Sequence, residues 1–357
     1  MELRVLIVAG GTGGHISPGI ALYEAFQKDY HAEILSLERN RNYPDFQKNS
    51  FYLNFYDVPQ FSWNLFSIFW FFYKIIRATI YSIKLIKKHQ FNFIVGMGGY
   101  PTIPAIIAGI LLRKKIYLCE PNAYPGLTTR VFYRFAKRVF LNFTLTKEFS
   151  HIQKKSILTG NPIRERVFNK AKKRKRHSKI KTIFLVGGSQ GAKQLNEMIL
   201  NLWKSYPDFS QQFDWIIQTG IPHFERFSQE VEAIPFRKKI EFFGFSTEIE
   251  KYFQRADLLI SRAGAGIITE GLLYEIPMIL IPYPYAKDNH QYYNAKALEE
   301  QHLAITIPTK TTEPYELYET IKQIKNNFDK YKLAFSQKRI TKNPSEIIKE
   351  IIASDGS

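Results

Sequence analysis

Glu270 is a carboxylate set a few residues into a helix-forming pattern in the segment Ala256–Ala295 (ADLLISRAGAGIITEGLLYEIPMILIPYPYAKDNHQYYNA). A short apolar run, Leu258–Ile260, leads to a glycine turn at Gly264 and Gly266, and the pattern that carries Thr269 and Glu270 follows. A helix that opens at such a turn presents N–H groups without intrahelical partners and the positive end of its dipole, so an anionic diphosphate can sit there without a metal. A carboxylate aimed at phosphates would repel them, whereas one turned to a neutral diol accepts two hydrogen bonds, so Glu270 is a candidate for a ribose contact. Arg164, in Gly160-Asn161-Pro162-Ile163-Arg164, is the candidate cation for the diphosphate.

These residues need a parallel sheet to bring them to one edge, and the chain has the pattern for two. In the first half, strands are predicted at Val5–Ala9, Glu33–Leu37, Phe51–Tyr56, Phe93–Val95 and Ile116–Cys119. The turn Gly10-Gly11-Thr12-Gly13-Gly14-His15 is followed by Ser17-Pro18, which predicts a helix start there. A second glycine turn spans Gly96–Pro101. After the basic tract Lys170–Lys181, read as a linker or exposed loop, the alternation restarts with a strand at Lys181–Val186 and a third turn at Gly187–Gly191. Strands at Trp215–Gln218, Ile240–Phe243 and Met278–Ile281 complete a second sheet, and helices are expected after Thr311, the last starting at Asn343-Pro344-Ser345. Ligands of open α/β sheets bind at the carboxyl edge of the strands.

Composition narrows the setting. A chain of 357 residues exceeds one comfortable core, so two domains are expected. The net charge of +18 implies an anionic partner and is uneven: residues 1–160 hold 20 basic against 9 acidic side chains, and residues 161–357 hold 30 against 23. The single cysteine, Cys119, excludes an internal disulfide and fits a reducing cytoplasm. The N-terminal apolar run is too short for a secretion signal. No Walker motif, HExxH, CxxC or Asp-x-Asp pair occurs, so neither P-loop chemistry nor a metal site is expected.

The stretch Phe61–Ile86 (FSWNLFSIFWFFYKIIRATIYSIKLI) is long and aromatic, yet Lys74, Arg77 and Lys84 interrupt it, each costing about 2.5–3.5 kcal/mol at a bilayer centre. It is therefore read as an amphipathic helix. Phe72, Ile76, Thr79, Ile83 and Ile86 are placed on a core-facing side, with Lys74, Arg77, Tyr81, Lys84 and Lys88 opposite. Trp63, Phe66, Phe69, Trp70 and Phe71, with Lys74, Arg77 and Lys84, form a candidate membrane patch.

The blocks GGTGGHISPGIAL, GMGGYPTIP, EPNAYPGLT, GNPIR, GGSQGA, SRAGAGIITE and KDNHQYYNA resemble, over nearly the whole chain, the MurG family of peptidoglycan N-acetylglucosaminyltransferases (glycosyltransferase family 28). The resemblance implies an α/β chain of GT-B fold, two Rossmann-like doubly wound domains facing each other across a cleft. Residues 1–162 would take the acceptor and associate with the membrane, 163–340 would bind the UDP-sugar, and 341–357 would form a closing helix against the first domain. It implies an inverting transfer of N-acetylglucosamine from UDP-GlcNAc to the C4 hydroxyl of the MurNAc of lipid I (undecaprenyl-pyrophosphoryl-MurNAc-pentapeptide), giving lipid II, at the cytoplasmic face of the plasma membrane, with no cofactor. Carried over by position, the donor contacts are Thr12, Gly13, Gly14, Asn122, Arg164, Ser189, Phe245, Ala265, Gly266, Ile267, Ile268, Thr269, Glu270 and Gln291. The chain departs from the commoner pattern at Gly266-Ile267-Ile268, where Leu-Thr-Val is usual, and at His290, where a second Gln is frequent.

An inverting displacement needs a base for the acceptor hydroxyl, and His15 is the candidate, with Asn122 orienting sugar hydroxyls. The rival readings are a glycolipid synthase of the same fold with a diacylglycerol acceptor, a UDP-sugar epimerase, which would have no use for the aromatic stretch, and a basic nucleic-acid-binding protein. No RRM, KH or zinc-finger signature supports the last.

Overall fold

The computed structural model describes residues 3–48, 51–59, 65–188, 191–308 and 313–355, and it divides into two compact units, residues 1–165 with 342–357 and residues 166–341. The first unit is a parallel seven-stranded sheet: β1 (Arg4–Val8), β2 (His31–Leu37), β3 (Leu53–Tyr56), β4 (Phe93–Gly96), β5 (Lys115–Glu120), β6 (Arg138–Leu141) and β7 (Ser156–Leu158), in the order β3-β2-β1-β4-β5-β6-β7. Its central strands β1, β4 and β5 are almost wholly buried, mostly apolar runs, as a sheet covered on both faces requires. Because paired residues share a face, the register sorts the helices. On one face, Val5, Ile7, Val95 and Tyr117 pack under α1 (Gly13–Phe26). On the other, Leu6, Ile94, Ile116 and Val139 pack under α2 (Leu65–Lys88), α3 (Ile103–Leu111) and α4 (Leu127–Phe132).

Two helices depart from the sequence reading. α1 begins at Gly13 rather than at Ser17-Pro18: Thr12 O accepts the N–H groups of His15 and Ile16, so the glycine turn runs straight into the helix and Pro18 lies inside it. In α2 the buried side is Ile75, Ala78, Thr79, Ser82, Leu85 and Ile86, with Phe71 and Ile83 packed on the core beside them. Phe72 and Ile76, expected to face the core, point outward at 57% and 59% exposure. With apolar residues nearly all round its first turns, the helix takes its phase from its second half, where Leu85 and Ile86 are buried in the core beneath.

The second unit is a parallel six-stranded sheet: β8 (Thr182–Val186), β9 (Asp214–Gln218), β10 (Ile240–Phe243), β11 (Leu258–Ser261), β12 (Met278–Leu280) and β13 (Ala304–Thr306), in the order β10-β9-β8-β11-β12-β13. It carries α5 (Glu165–Lys172), α6 (Lys193–Ser205), α7 (Ala265–Leu273) and α8 (His290–Glu299). The basic tract is not a free linker. Lys170 and Lys172 end α5, while Arg174 is buried, donates to the carbonyls of Tyr274 and Ala256, and stands 3.7 Å from Asp257. Asp257 also accepts from the backbone N–H groups of Lys181 and Thr182 and meets His177 at 2.9 Å. Charge without apolar periodicity misled the reading because the tract is held by buried polar partners rather than by an apolar face.

The closing helix α9 (Pro344–Ser354) starts where Asn343 Oδ1 accepts the N–H of Ser345, a side-chain cap. Its Ile348 and Ile352 complete the core on the α1 side of the first sheet, and Ser345 exchanges two hydrogen bonds with Ile163.

Candidate active site

Each sheet order reverses once, between β1 and β4 in the first unit and between β8 and β11 in the second, and such switch points open a crevice at the carboxyl edge. The four glycine turns fall at these two places. In the first unit the turn after β1 holds Thr12, Gly13 and Gly14, and the imidazole of His15 lies against the turn after β4. A Cβ at Gly98 would stand 3.3 Å from its Cε1, and one at Gly99 would stand 3.3 Å from its Nε2. Both glycines have positive φ, 95° and 73°, so the turn fits a histidine that any larger residue would displace.

Next to it, β5 ends in Glu120, whose buried carboxylate accepts from Thr129 Oγ1 at 2.6 Å, from the N–H groups of Asn122 (3.0 Å) and Gly126 (2.9 Å), and from Asn122 Nδ2 at 3.4 Å. Burial pushes the Glu120 carboxyl up, and these four donors oppose it. Asn122 is thus fixed by a residue that the sequence reading did not single out, although it opens the EPNAYPGLT block. Arg164 has a different arrangement from the one expected: its guanidinium donates to Glu24 at 2.6 Å and to Asp45 at 3.1 Å, within the first unit, so meeting a diphosphate would require it to exchange those carboxylates.

In the second unit, β11 runs into Gly264 and then α7. A Cβ at Gly264 or Gly266 would meet nothing within 4 Å, so open space lies over the helix N-terminus. Along α7 the helical period divides the expected donor contacts: Ala265, Gly266, Ile267 and Glu270 are only partly buried, whereas Ile268 is fully buried and Thr269 is buried with its hydroxyl donating to Ala265 O at 2.7 Å. Ile268 and Thr269 are therefore core residues, a correction to the stretch taken as a whole. Burial, with Glu250's charge as the second cause, pushes the Glu270 carboxyl up to about 8. Glu250 itself is buried and paired with Lys170 at 2.9 Å.

Arg262, inside the SRAGAGIITE block but not singled out in sequence, is the cation beside this turn. Its guanidinium donates to Ile281 O at 3.2 Å and to Gln194 Oε1 at 2.8 Å, stands 5.6 Å from the Tyr283 ring, and has no carboxylate partner among the described residues. Its signal in sequence was only an arginine just ahead of the glycine turn. Gln291 Oε1 accepts the N–H of Tyr283 at 2.9 Å, which orients its amide, and Asn294 ties α8 to the carbonyl of Ala263. Phe245 lies with Ile221, Pro222, Phe224, Glu225 and Gly244 around an open hollow of about 560 Å³, wide enough for a planar base. Ser189 lies outside the described residues, as do Trp63 and the side chain of Phe66. Among the described residues no helix is long and apolar enough to cross a membrane.

Comparison with known proteins agrees with this geometry. The family description "Glycosyltransferase family 28 N-terminal domain" matches residues 5–141, and "Glycosyltransferase family 28 C-terminal domain" matches residues 182–351. The chain is 36% identical over 342 residues, 90% of each chain, to a protein of Leptospira interrogans named UDP-N-acetylglucosamine--N-acetylmuramyl-(pentapeptide) pyrophosphoryl-undecaprenol N-acetylglucosamine transferase. It is 33% identical, over 95% of each chain, to a protein of the same name from Halothermothrix orenii. A crystal structure of Acinetobacter baumannii MurG superposes with a TM-score of 0.77 at 23% identity, covering 99% of both chains. The two switch points, the glycine turns that line them and the two matched domains have one source: the chain belongs to glycosyltransferase family 28.

Proposed function

We propose that the protein transfers N-acetylglucosamine from UDP-GlcNAc to the C4 hydroxyl of the MurNAc of lipid I, forming lipid II, with inversion at the anomeric carbon. The observation that carries this reading is the half-buried Arg262, without a carboxylate partner among the described residues, beside the open glycine N-terminus of α7, in a chain so close to transferases of that name. The N–H groups of α7 and Arg262 neutralise the diphosphate, Glu270 accepts from the ribose diol, the hollow at Phe245 takes the uracil, and Gln291 donates to sugar hydroxyls. The acceptor oxygen forms its bond to C1 as the bond from C1 to the diphosphate oxygen breaks. The charge that develops on the leaving UDP falls on groups already in place. His15, fixed at the first switch point, takes the acceptor proton.

The acceptor is a lipid, and α2 supports a peripheral seat on the cytoplasmic face of the membrane. Phe69, Trp70, Phe72, Tyr73, Ile76 and Ile80 are exposed on a helix that also shows Arg77 and Lys84. Labelled UDP-GlcNAc with a lipid I analogue is the test: a labelled disaccharide lipid is the expected product. Transfer to diacylglycerol instead, or tight salt-sensitive binding to RNA without transfer, would overturn the reading.

A further inference from the structure

Arg39 is a cation without a counterion at the edge that holds His15. It lies in the short helical turn Glu38–Asn40 after β2, and Asn40 Oδ1 accepts the N–H of Gly11 at 3.1 Å, which ties this turn to the glycine turn after β1. The exposed Arg39 guanidinium donates to the hydroxyl of Tyr100 and stands 5.8 Å from the centre of its ring. Tyr100 follows Gly99, whose backbone faces Nε2 of His15, and the Tyr56 hydroxyl donates to the next carbonyl, that of Pro101. Burial pushes the Tyr100 phenol up, so it stays neutral and leaves the guanidinium charge unspent. The carboxylates of this region are claimed by other side chains: Glu38 by Arg41 at 2.6 Å and Asp57 by Lys74 at 2.6 Å. Among the described residues Arg39 has no carboxylate partner.

The chemistry of the acceptor says what such a cation meets. The hydroxyl that reacts is on C4 of the acceptor sugar and must reach His15, while the diphosphate that links this sugar to its lipid leaves from C1, at the far side of the same ring. That diphosphate stays ionised throughout the transfer, and with Arg262 on the donor's, the acceptor's own still calls for a cation. A guanidinium meets phosphate oxygens in pairs, and one already held on an aromatic ring loses little freedom in doing so. From the imidazole, through Gly99 and Tyr100, the structure leads to one unspent positive charge, Arg39. We propose that Arg39, seated on Tyr100, binds the diphosphate of the lipid-linked acceptor and sets the affinity for it. The proposal rests on lipid I as the acceptor and adds the group that holds its charged end.

The test is steady-state transfer by the full chain from UDP-GlcNAc to a short-chain lipid I analogue, beside an analogue in which an uncharged linker replaces the diphosphate. Arg39→Gln is expected to raise KM for the charged acceptor by about tenfold or more, with KM for UDP-GlcNAc, kcat and melting temperature unchanged. With the uncharged analogue, parent and variant should not differ. Arg39→Lys should recover part of the loss, and rising salt should raise the parent's acceptor KM more than the Gln variant's. An equal rise in KM for UDP-GlcNAc overturns the proposal, since Arg39 then serves the donor. So does a fall in kcat alone, since Arg39 then only props the His15 turn through Tyr100. If the parent transfers to the lipid I analogue and Arg39→Gln matches it in every constant, the reaction stands and the role of Arg39 falls. A parent that transfers only to diacylglycerol removes both.

Discussion

The imidazole of His15 and the backbone of Gly98 are in direct apposition, so that a methyl group at Gly98 would stand 3.3 Å from His15 Cε1. The contact joins the turn after β1 to the turn after β4, and it exists because those strands are neighbours at the switch point. Gly98→Ala should therefore disturb catalysis without touching the donor cradle. Its φ of 95° also strains any side chain there. The expected result is a lower kcat with UDP affinity unchanged, and parent-like turnover would detach His15 from the chemistry.

Direct replacement of His15 should be more severe. His15→Ala is expected to lower kcat by about 10²–10⁴ while UDP still binds. Single-turnover kinetics separate this from slow product release.

For Glu270 the expected effect depends on pH. Its folded value of about 8 lies above the ordinary 4.5, so the folded unit holds that proton more tightly than the unfolded chain. The stabilisation is complete below about 4.5 and is lost as pH rises through 8. The ribose diol favours the carboxylate, so UDP affinity should increase as pH rises through 8, with a proton released on binding. Calorimetry in buffers of different ionisation heat measures both, and Glu270→Gln should flatten the profile while weakening binding by about 1.5–3 kcal/mol.

The two arginines separate by the same assay. Arg262→Ala should weaken UDP binding by about 1.5–3 kcal/mol, a charged hydrogen bond lost to the diphosphate. If Arg164 keeps Glu24 and Asp45 as its partners, Arg164→Ala should lower melting temperature more than UDP affinity. The opposite ranking would return the phosphate contact to Arg164.

Asp257→Ala should unfold the second unit more easily. It leaves Arg174 buried beside an empty place and two backbone N–H groups without their acceptor, a loss of about 3–5 kcal/mol for a broken buried pair. Urea titration followed by tryptophan fluorescence reads this, since Trp203 and Trp215 are both buried in that unit's core.

Strand positions and glycine turns were legible because parallel sheets write buried apolar runs punctuated by glycine, and the turns need positive φ at Gly11, Gly98, Gly99, Gly188 and Gly191. The place of Glu270 on the helix behind such a turn was legible from the same pattern. Glu120, Arg262 and Asp257 were not, because each acts through backbone groups or distant side chains that no local spacing reveals. The phase of α2 was lost for a related cause: when both sides of a helix are apolar, the side that meets the sheet is decided by the sheet.

The helix Pro344–Ser354 has a further consequence, in the order of synthesis. Residues 166–341 form one continuous unit, complete before that helix leaves the ribosome, whereas the first unit, whose sheet precedes it in the chain, lacks Ile348 and Ile352 until that helix follows. During translation the second unit can close while α1, the helix on which α9 packs, still lacks the cover that Ile348 and Ile352 bring to that side of the core. A nascent chain stalled near residue 341 should therefore bind UDP yet be captured by chaperones through its first unit, and synthesis of Pro344–Ser354 should release it.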